Sequence, residues 1–245
     1  MTDLHGKVGV VTGAASGIGR AVAERLVAEG MDVVGVDLRA DGPVTVQADL
    51  TTRAGNRQAI DAALAAHGRV DVVVPNAGIQ HVAPVAEFPE ERWEQLVNLL
   101  LTSPFLLAKY AWPALVASGG RYVAIASVHG LVASPFKAAY VAAKHGVLGL
   151  VKVLALEGAG DGVTATAVCP GYVRTPLVEN QIADQAKAHG MSEDRVLEDV
   201  ILAPHVVKRM VEPAEVADAV VWLLGPAGRT MTGTPLVMDQ GWIAR

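Results

Sequence analysis

Thr12-Gly13-Ala14-Ala15-Ser16-Gly17-Ile18-Gly19 follows an apolar run, Lys7 to Val11, and opens a helical pattern from Ile18 to Glu29. That order is a strand, a glycine turn and a helix. Such a turn lets the backbone approach a pyrophosphate, and the helix N-terminus presents N–H groups and a positive dipole end to it. The spacing G-x-x-x-G-x-G differs from the G-x-G-x-x-G form, which alone is a weak signal. A second apolar run, Asp32 to Val36, ends in Asp37. A carboxylate placed there accepts hydrogen bonds from adenosine ribose hydroxyls and repels a 2′-phosphate.

Outward from this motif, strand-like runs recur at Val8 to Thr12, Val33 to Asp37, Val44 to Ala48, Val70 to Pro75, Arg121 to Ala126, Thr164 to Cys169 and Pro235 to Met238. Most are separated by helix-patterned stretches. Strands that are apolar on both faces and alternate with helices predict a parallel sheet covered on both sides. Only Leu38 to Pro43 separate the second and third runs, too few residues for a crossover helix, so a short loop is expected there. With 245 residues, 51% of them apolar, the chain fits one α/β domain spanning 1–245. The polar stretch from Glu179 to Val211 lacks strand signals and reads as a substrate lid, with a mobile surface insertion as the alternative.

The net charge of -5 offers no electrostatic footprint for nucleic acid, and no Lys/Arg cluster points to an anionic membrane. The stretch Leu99 to Ala117 is interrupted by Ser103, Pro104 and Lys109 and does not read as a membrane span. The single Cys169 rules out an internal disulfide, and Met1 to Gly6 lack a basic segment followed by an apolar one, so a reducing, cytoplasmic setting is expected. The histidines show no metal-ligand spacing, and no metal is expected.

Tyr140 and Lys144 are four residues apart, just over one helical turn, and share a helix face. An ammonium beside a phenol stabilises the phenolate and pulls its pKa down from about 10, which general acid/base work on an alcohol requires. Ser127 precedes them and is suited to hold the substrate oxygen. Asn98 interrupts an apolar helix, and a buried Asn must find partners or cost about 1–3 kcal/mol.

With Asn76-Ala77-Gly78 and Pro170-Gly171, these residues resemble the short-chain dehydrogenase/reductase family of the single-domain type, over nearly the whole chain. The resemblance implies a Rossmann-like doubly wound sheet of strand order 3-2-1-4-5-6-7, NAD as cofactor, and a homotetramer. It also implies a catalytic set of Asn98, Ser127, Tyr140 and Lys144, the Asn holding a relay water by its carbonyl. NAD contacts would come from Gly13, Ser16, Gly17, Ile18, Gly19, Asp37, Asp49, Leu50, Asn76, Ala77, Gly78, Tyr140, Lys144, Pro170, Gly171, Val173 and Thr175. Pro75 departs from the family pattern, which usually has Asn before the triplet.

His129 and Lys137 are two potential cations near Ser127 and Tyr140, and together they favour a substrate with a carboxylate. The stretches Ile79 to His81, Val128 to Lys137 and Pro176 to Gln181 resemble the branch of the family that oxidises D-3-hydroxybutyrate to acetoacetate. That likeness implies a small hydroxy acid held by Gln80, Ser127, His129, Lys137, Tyr140 and Gln181, with Trp242 walling the methyl side. Gln240 stands where that branch has Gly, and Ala203 to Arg209 differ from its usual lid end. Two alternatives stay open: another short hydroxy acid or a 3-oxoacyl thioester as substrate, and a silent nucleotide-binding scaffold, against which the intact Ser127, Tyr140 and Lys144 speak.

Overall fold

The computed structural model describes residues 4–180 and 182–244. In chain order the elements are β1 (Val8–Thr12), α1 (Gly17–Ala28), β2 (Asp32–Asp37), β3 (Val44–Gln47), α2 (Arg53–His67), β4 (Val72–Val74), α3 (Glu90–Val97) and α4 (Ser103–Ser118). They continue with β5 (Arg121–Ile125), α5 (Ala138–Gly158), β6 (Thr164–Pro170), α6 (Pro176–Glu179), α7 (Ile182–His189), α8 (Glu193–Val196), α9 (Pro213–Leu224) and β7 (Pro235–Met238). A π-helical turn, Asn98–Thr102, joins α3 to α4.

The seven strands form one parallel sheet in the order β3-β2-β1-β4-β5-β6-β7. Within β1, Val8 and Val10 pack on one face with Ile60 of α2, Leu107 of α4 and Val151 of α5. Val11 packs on the other with Val22 of α1 and Val220 of α9. Burial on both faces is why these strands read as continuous apolar runs. The helical stretches Glu90–Ser118 and Ala138–Asp161 are long and apolar enough to cross a membrane by length and composition. Here their inner faces, Leu107 to Leu115 and Val147 to Ala155, are built into the core.

β2 and β3 are joined by residues 38–43 without a helix, as the spacing required. β4 is shorter than the sequence suggests, ending before Pro75, whose carbonyl still accepts from Ile125 N at 2.9 Å. The stretch 179–211 is not simply a polar excursion. Ala186, Val196, Ile201 and Met210 bury themselves with Tyr172 in a small core of their own, beside which Val173 pairs with Val211.

Candidate active site

The strand order reverses between β1 and β4, and a cleft of about 440 Å³ opens there at the carboxyl ends of the strands. Gly13 (φ 69°) and Gly17 (φ 56°) adopt left-handed backbone that glycine tolerates without penalty. A Cβ on Gly13 would lie 2.7 Å from Asn76 Nδ2, and one on Gly19 would overlap the Gly13 carbonyl and the Asn76 amide. The first turn of α1 carries no acidic side chain, and Ser16 makes no side-chain cap, so its N–H groups face the cleft uncommitted to a protein carboxylate. Asp37 accepts from Ala15 N at 3.1 Å and Arg39 N at 3.2 Å, which fixes its carboxylate over the glycine turn. These features fit the pyrophosphate and ribose of a nicotinamide dinucleotide.

Of the expected cofactor contacts, all but Gly19 line this cleft, and Gly19 is the close-packing residue beneath it. Asn76 has a second task. Its Nδ2 donates to Thr12 O at 2.8 Å, while Thr12 Oγ1 accepts from Asn76 N and Ala77 N at 2.9 and 3.0 Å. Thr12, which opens the glycine-rich stretch but was given no role from sequence, thus locks the end of β4 to the glycine turn. Asp49 is exposed and accepts from Thr51 N and Oγ1. Thr175 caps α6 by accepting from Val178 N.

Ser127, Tyr140 and Lys144 converge on the cleft. Lys144 Nζ donates to Ile125 O at 2.8 Å and lies 5.6 Å from the Tyr140 ring. Burial lowers the Lys144 ammonium to about 8. Burial also raises the Tyr140 phenol above its ordinary value, and the hydrogen bond with Ser127 works in the lowering direction. Burial is the larger of the two effects, so in this geometry the phenol lies above its ordinary value and not below it.

Two expectations need correction. Asn98 is exposed, not buried, and does not line the cleft; Leu99 and Leu100 do. The π turn accounts for the exposed side chain, because it shifts the helical phase; the Asn98 carbonyl accepts from Ser103 N and keeps a second lone pair. A cavity of about 10 Å³, room for about one water, lies against Lys144, Leu99, Leu100 and Ser103. The second correction concerns His129. Its ring is buried beside Lys137, and the two effects together push its pKa down to about 3, so it is neutral and only one cation remains.

That cation is Lys137, itself 3% exposed and lowered by burial to about 8. Its Nζ donates to Tyr172 OH at 2.9 Å and lies 4.8 Å from the Tyr172 ring. Tyr172, missed from sequence, stacks on Trp242 at 5.7 Å, and the His129 ring meets the edges or faces of Tyr140, Tyr172 and Trp242 at 6.0, 6.3 and 5.3 Å. His129 Nε2 pairs with Ser134 Oγ at 2.8 Å. Phe136, immediately before Lys137, holds φ 68° and sets its ring 5.1 Å from that of His189 in α7. Gln80 uses its side-chain oxygen to accept from His81 N, and of the expected substrate contacts among the described residues only Ser127 and Tyr140 line the cleft; Gln80, His129, Lys137 and Trp242 do not. Gln181 lies outside the described residues. Gln240 does adopt the positive φ (58°) that a glycine would favour, and its carbonyl accepts from Val206 N and Val207 N.

Comparison with known proteins agrees with this geometry. Residues 13–243 match a family model described as enoyl-(acyl carrier protein) reductase. D-beta-hydroxybutyrate dehydrogenase of Rhizobium meliloti is 39% identical, covering 98% of this chain and 99% of its own. The enzyme of that name from Cupriavidus necator is 40% identical, covering 99% and 100%. A solved structure, the ligand-free aldohexose dehydrogenase of Thermoplasma acidophilum, superposes with a TM-score of 0.89 at 32% identity, covering 100% of this chain and 96% of that one. Sheet order, glycine cradle, the Ser127/Tyr140/Lys144 cluster and full-length relatives converge: the chain belongs to the short-chain dehydrogenase/reductase family, oxidoreductases that use a nicotinamide cofactor.

Proposed function

We propose that this enzyme oxidises D-3-hydroxybutyrate to acetoacetate reversibly, with NAD. The observation that carries the substrate is Lys137: an ammonium buried near His129 and bonded to the Tyr172 phenol, with no carboxylate among the described residues shifting it. A buried cation of that kind calls for an anion, and a short acid brings one. The two dehydrogenases of similar sequence act, by name, on the same acid.

Bound nicotinamide dinucleotide supplies the hydride acceptor. The protein's part is orientation and proton handling. Ser127 donates to the substrate oxygen, Tyr140 takes the alcohol proton, and Lys144 supports the resulting phenolate. The Asn98 backbone carbonyl holds the relay water, and the small cavity against Lys144, Leu99 and Leu100 supports a water in that neighbourhood. Lys137 and Tyr172 hold the carboxylate, His129 supports them as a neutral ring, and Trp242 bounds the far side. Residues 179–211 act as the lid within a single catalytic domain, and Gln181 is assigned to the substrate carboxylate. Exposed Phe105, Val153 and Leu156 on α4 and α5 support assembly into a tetramer, which sedimentation velocity tests.

The preference for NAD rests on Asp37, whose carboxylate would face a 2′-phosphate across the cleft. Cofactor reduction over a panel of short hydroxy acids, with NAD and NADP side by side, tests both assignments. NAD with 3-hydroxybutyrate should give the highest kcat/KM; equal use of NADP would overturn the cofactor, and preference for an uncharged alcohol would overturn the substrate.

A further inference from the structure

Phe136 holds φ 68°, a left-handed backbone that a bulky residue adopts only where its surroundings hold it there. Two contacts do so. The Phe136 carbonyl accepts from Ala83 N at 3.0 Å, in the loop after β4, and the Phe136 ring meets the His189 ring of α7 edge-on at 5.1 Å. Both residues are half-buried. Glycine would take this φ without penalty, so a phenylalanine there points to a use for its ring.

The next residue is Lys137, from which α5 starts. Its carbonyl accepts from Val141 N at 2.9 Å, so the turn of the chain at Phe136 sets where the Lys137 stem begins. The far end of that side chain is fixed by Tyr172, whose OH lies 2.9 Å from Nζ. Tyr172 in turn belongs to the small core that includes Ala186 of α7. One helix therefore reaches Lys137 from both ends: through His189 and Phe136 at the backbone, and through the core of Ala186 and Tyr172 at the ammonium. An edge-to-face ring contact has a preferred geometry, and it sets α7 against Phe136 in a defined direction.

Resting on the acid-pocket and lid readings above, we propose that Phe136 and His189 are positioning residues for Lys137. Their contact seats α7, the lid helix, so that the ammonium stands where the substrate carboxylate arrives. The seating of the lid then enters the affinity for acids, and a substrate without a carboxylate is indifferent to it.

The test measures KM and kcat for D-3-hydroxybutyrate and for butan-2-ol in the wild type, Phe136→Gly, His189→Leu, the double variant and His189→Phe, with Lys137→Met as control. Loss of an aromatic contact of this kind should raise the KM for the acid by about two- to tenfold in each single variant, and alter that for butan-2-ol by less than about twofold. Glycine suits the φ at 136, so that variant needs no rearrangement of the chain. The double variant should be no worse than the worse single one, because one contact is lost only once. His189→Phe, which keeps a ring edge, should restore most of the affinity. Losses that multiply in the double variant, or equal losses on both substrates, would mean that the two residues support the fold separately and would overturn the proposal; so would an unchanged KM in His189→Leu. If the acid is not oxidised, or Lys137→Met leaves its KM unchanged, the acid-pocket reading fails and takes this inference with it. If Lys137→Met raises the KM and the Phe136 and His189 variants do not, only this inference fails.

Discussion

Replacing Lys137 with Met keeps most of the aliphatic stem and removes the charge. Lys137 is 3% exposed, and burial already desolvates its ammonium, so a carboxylate arriving there meets a cation whose burial cost has been met. With the cation gone, the carboxylate is buried against a phenol and neutral rings. Losing one partner of a buried charge pair costs about 2–5 kcal/mol. Because Tyr172 OH remains to donate to the carboxylate, the lower part of that range applies, which corresponds to about 10²-fold in kcat/KM. The loss should appear in KM and also in kcat, since a loosely held acid misaligns its carbinol carbon. The assay measures NAD reduction by D-3-hydroxybutyrate and by butan-2-ol, which has no carboxylate. The alcohol should lose no more than about threefold. Equal losses on both substrates would refute the reasoning, because Lys137 would then support the fold or the chemistry rather than recognise the acid.

Tyr140→Phe removes the transferable proton and keeps the ring, so turnover should fall by at least about 10²-fold while NAD binding, read by fluorescence titration, persists. Loss of NAD binding would assign Tyr140 a structural role. Gly19→Ala forces a methyl into the Gly13 carbonyl and the Asn76 amide, and overpacking of that kind costs about 1–3 kcal/mol. Thermal melts with and without NAD should show lower stability and weakened cofactor binding; an unchanged variant would mean that the glycine cradle is looser than described. Unreactive butyrate, as a competitive inhibitor, should bind evenly from about pH 5.5 to 7.5, where its carboxylate is charged and Lys137 is protonated. Above about 8, where Lys137 gives up its proton, binding should weaken by about tenfold per pH unit. Lys137→Met should flatten that profile, and a wild-type profile without the fall would remove Lys137 from the anion site.

The glycine motif was legible because backbone geometry leaves no other residue there, and the sheet was legible because its strands are apolar on both faces. The burial of the Asn98 side chain was misread for a local reason. A π turn cannot be anticipated from helical spacing, and its phase shift turns Asn98 outward and Leu100 inward. The charge of His129 depended on burial beside Lys137, which spacing does not reveal. Tyr172 and His205 lie 33 residues apart on different segments, and only the fold brings their rings to 6.0 Å from each other and both against Trp242. The one signal was an aromatic residue directly after Pro170-Gly171. Within 179–211, the buried Ala186, Val196, Ile201 and Met210 follow no single period, so the segment's own core was hidden by its polar composition.

The most direct test of the account is the initial rate of NAD reduction with each enantiomer of 3-hydroxybutyrate. The carboxylate anchor at Lys137, the oxygen site at Ser127 and Tyr140, and one face of the nicotinamide fix three directions about carbon 3. The D enantiomer should react at least about 10²-fold faster than the L enantiomer. Comparable rates for the two, or no reduction with either while an uncharged alcohol is oxidised, would contradict it.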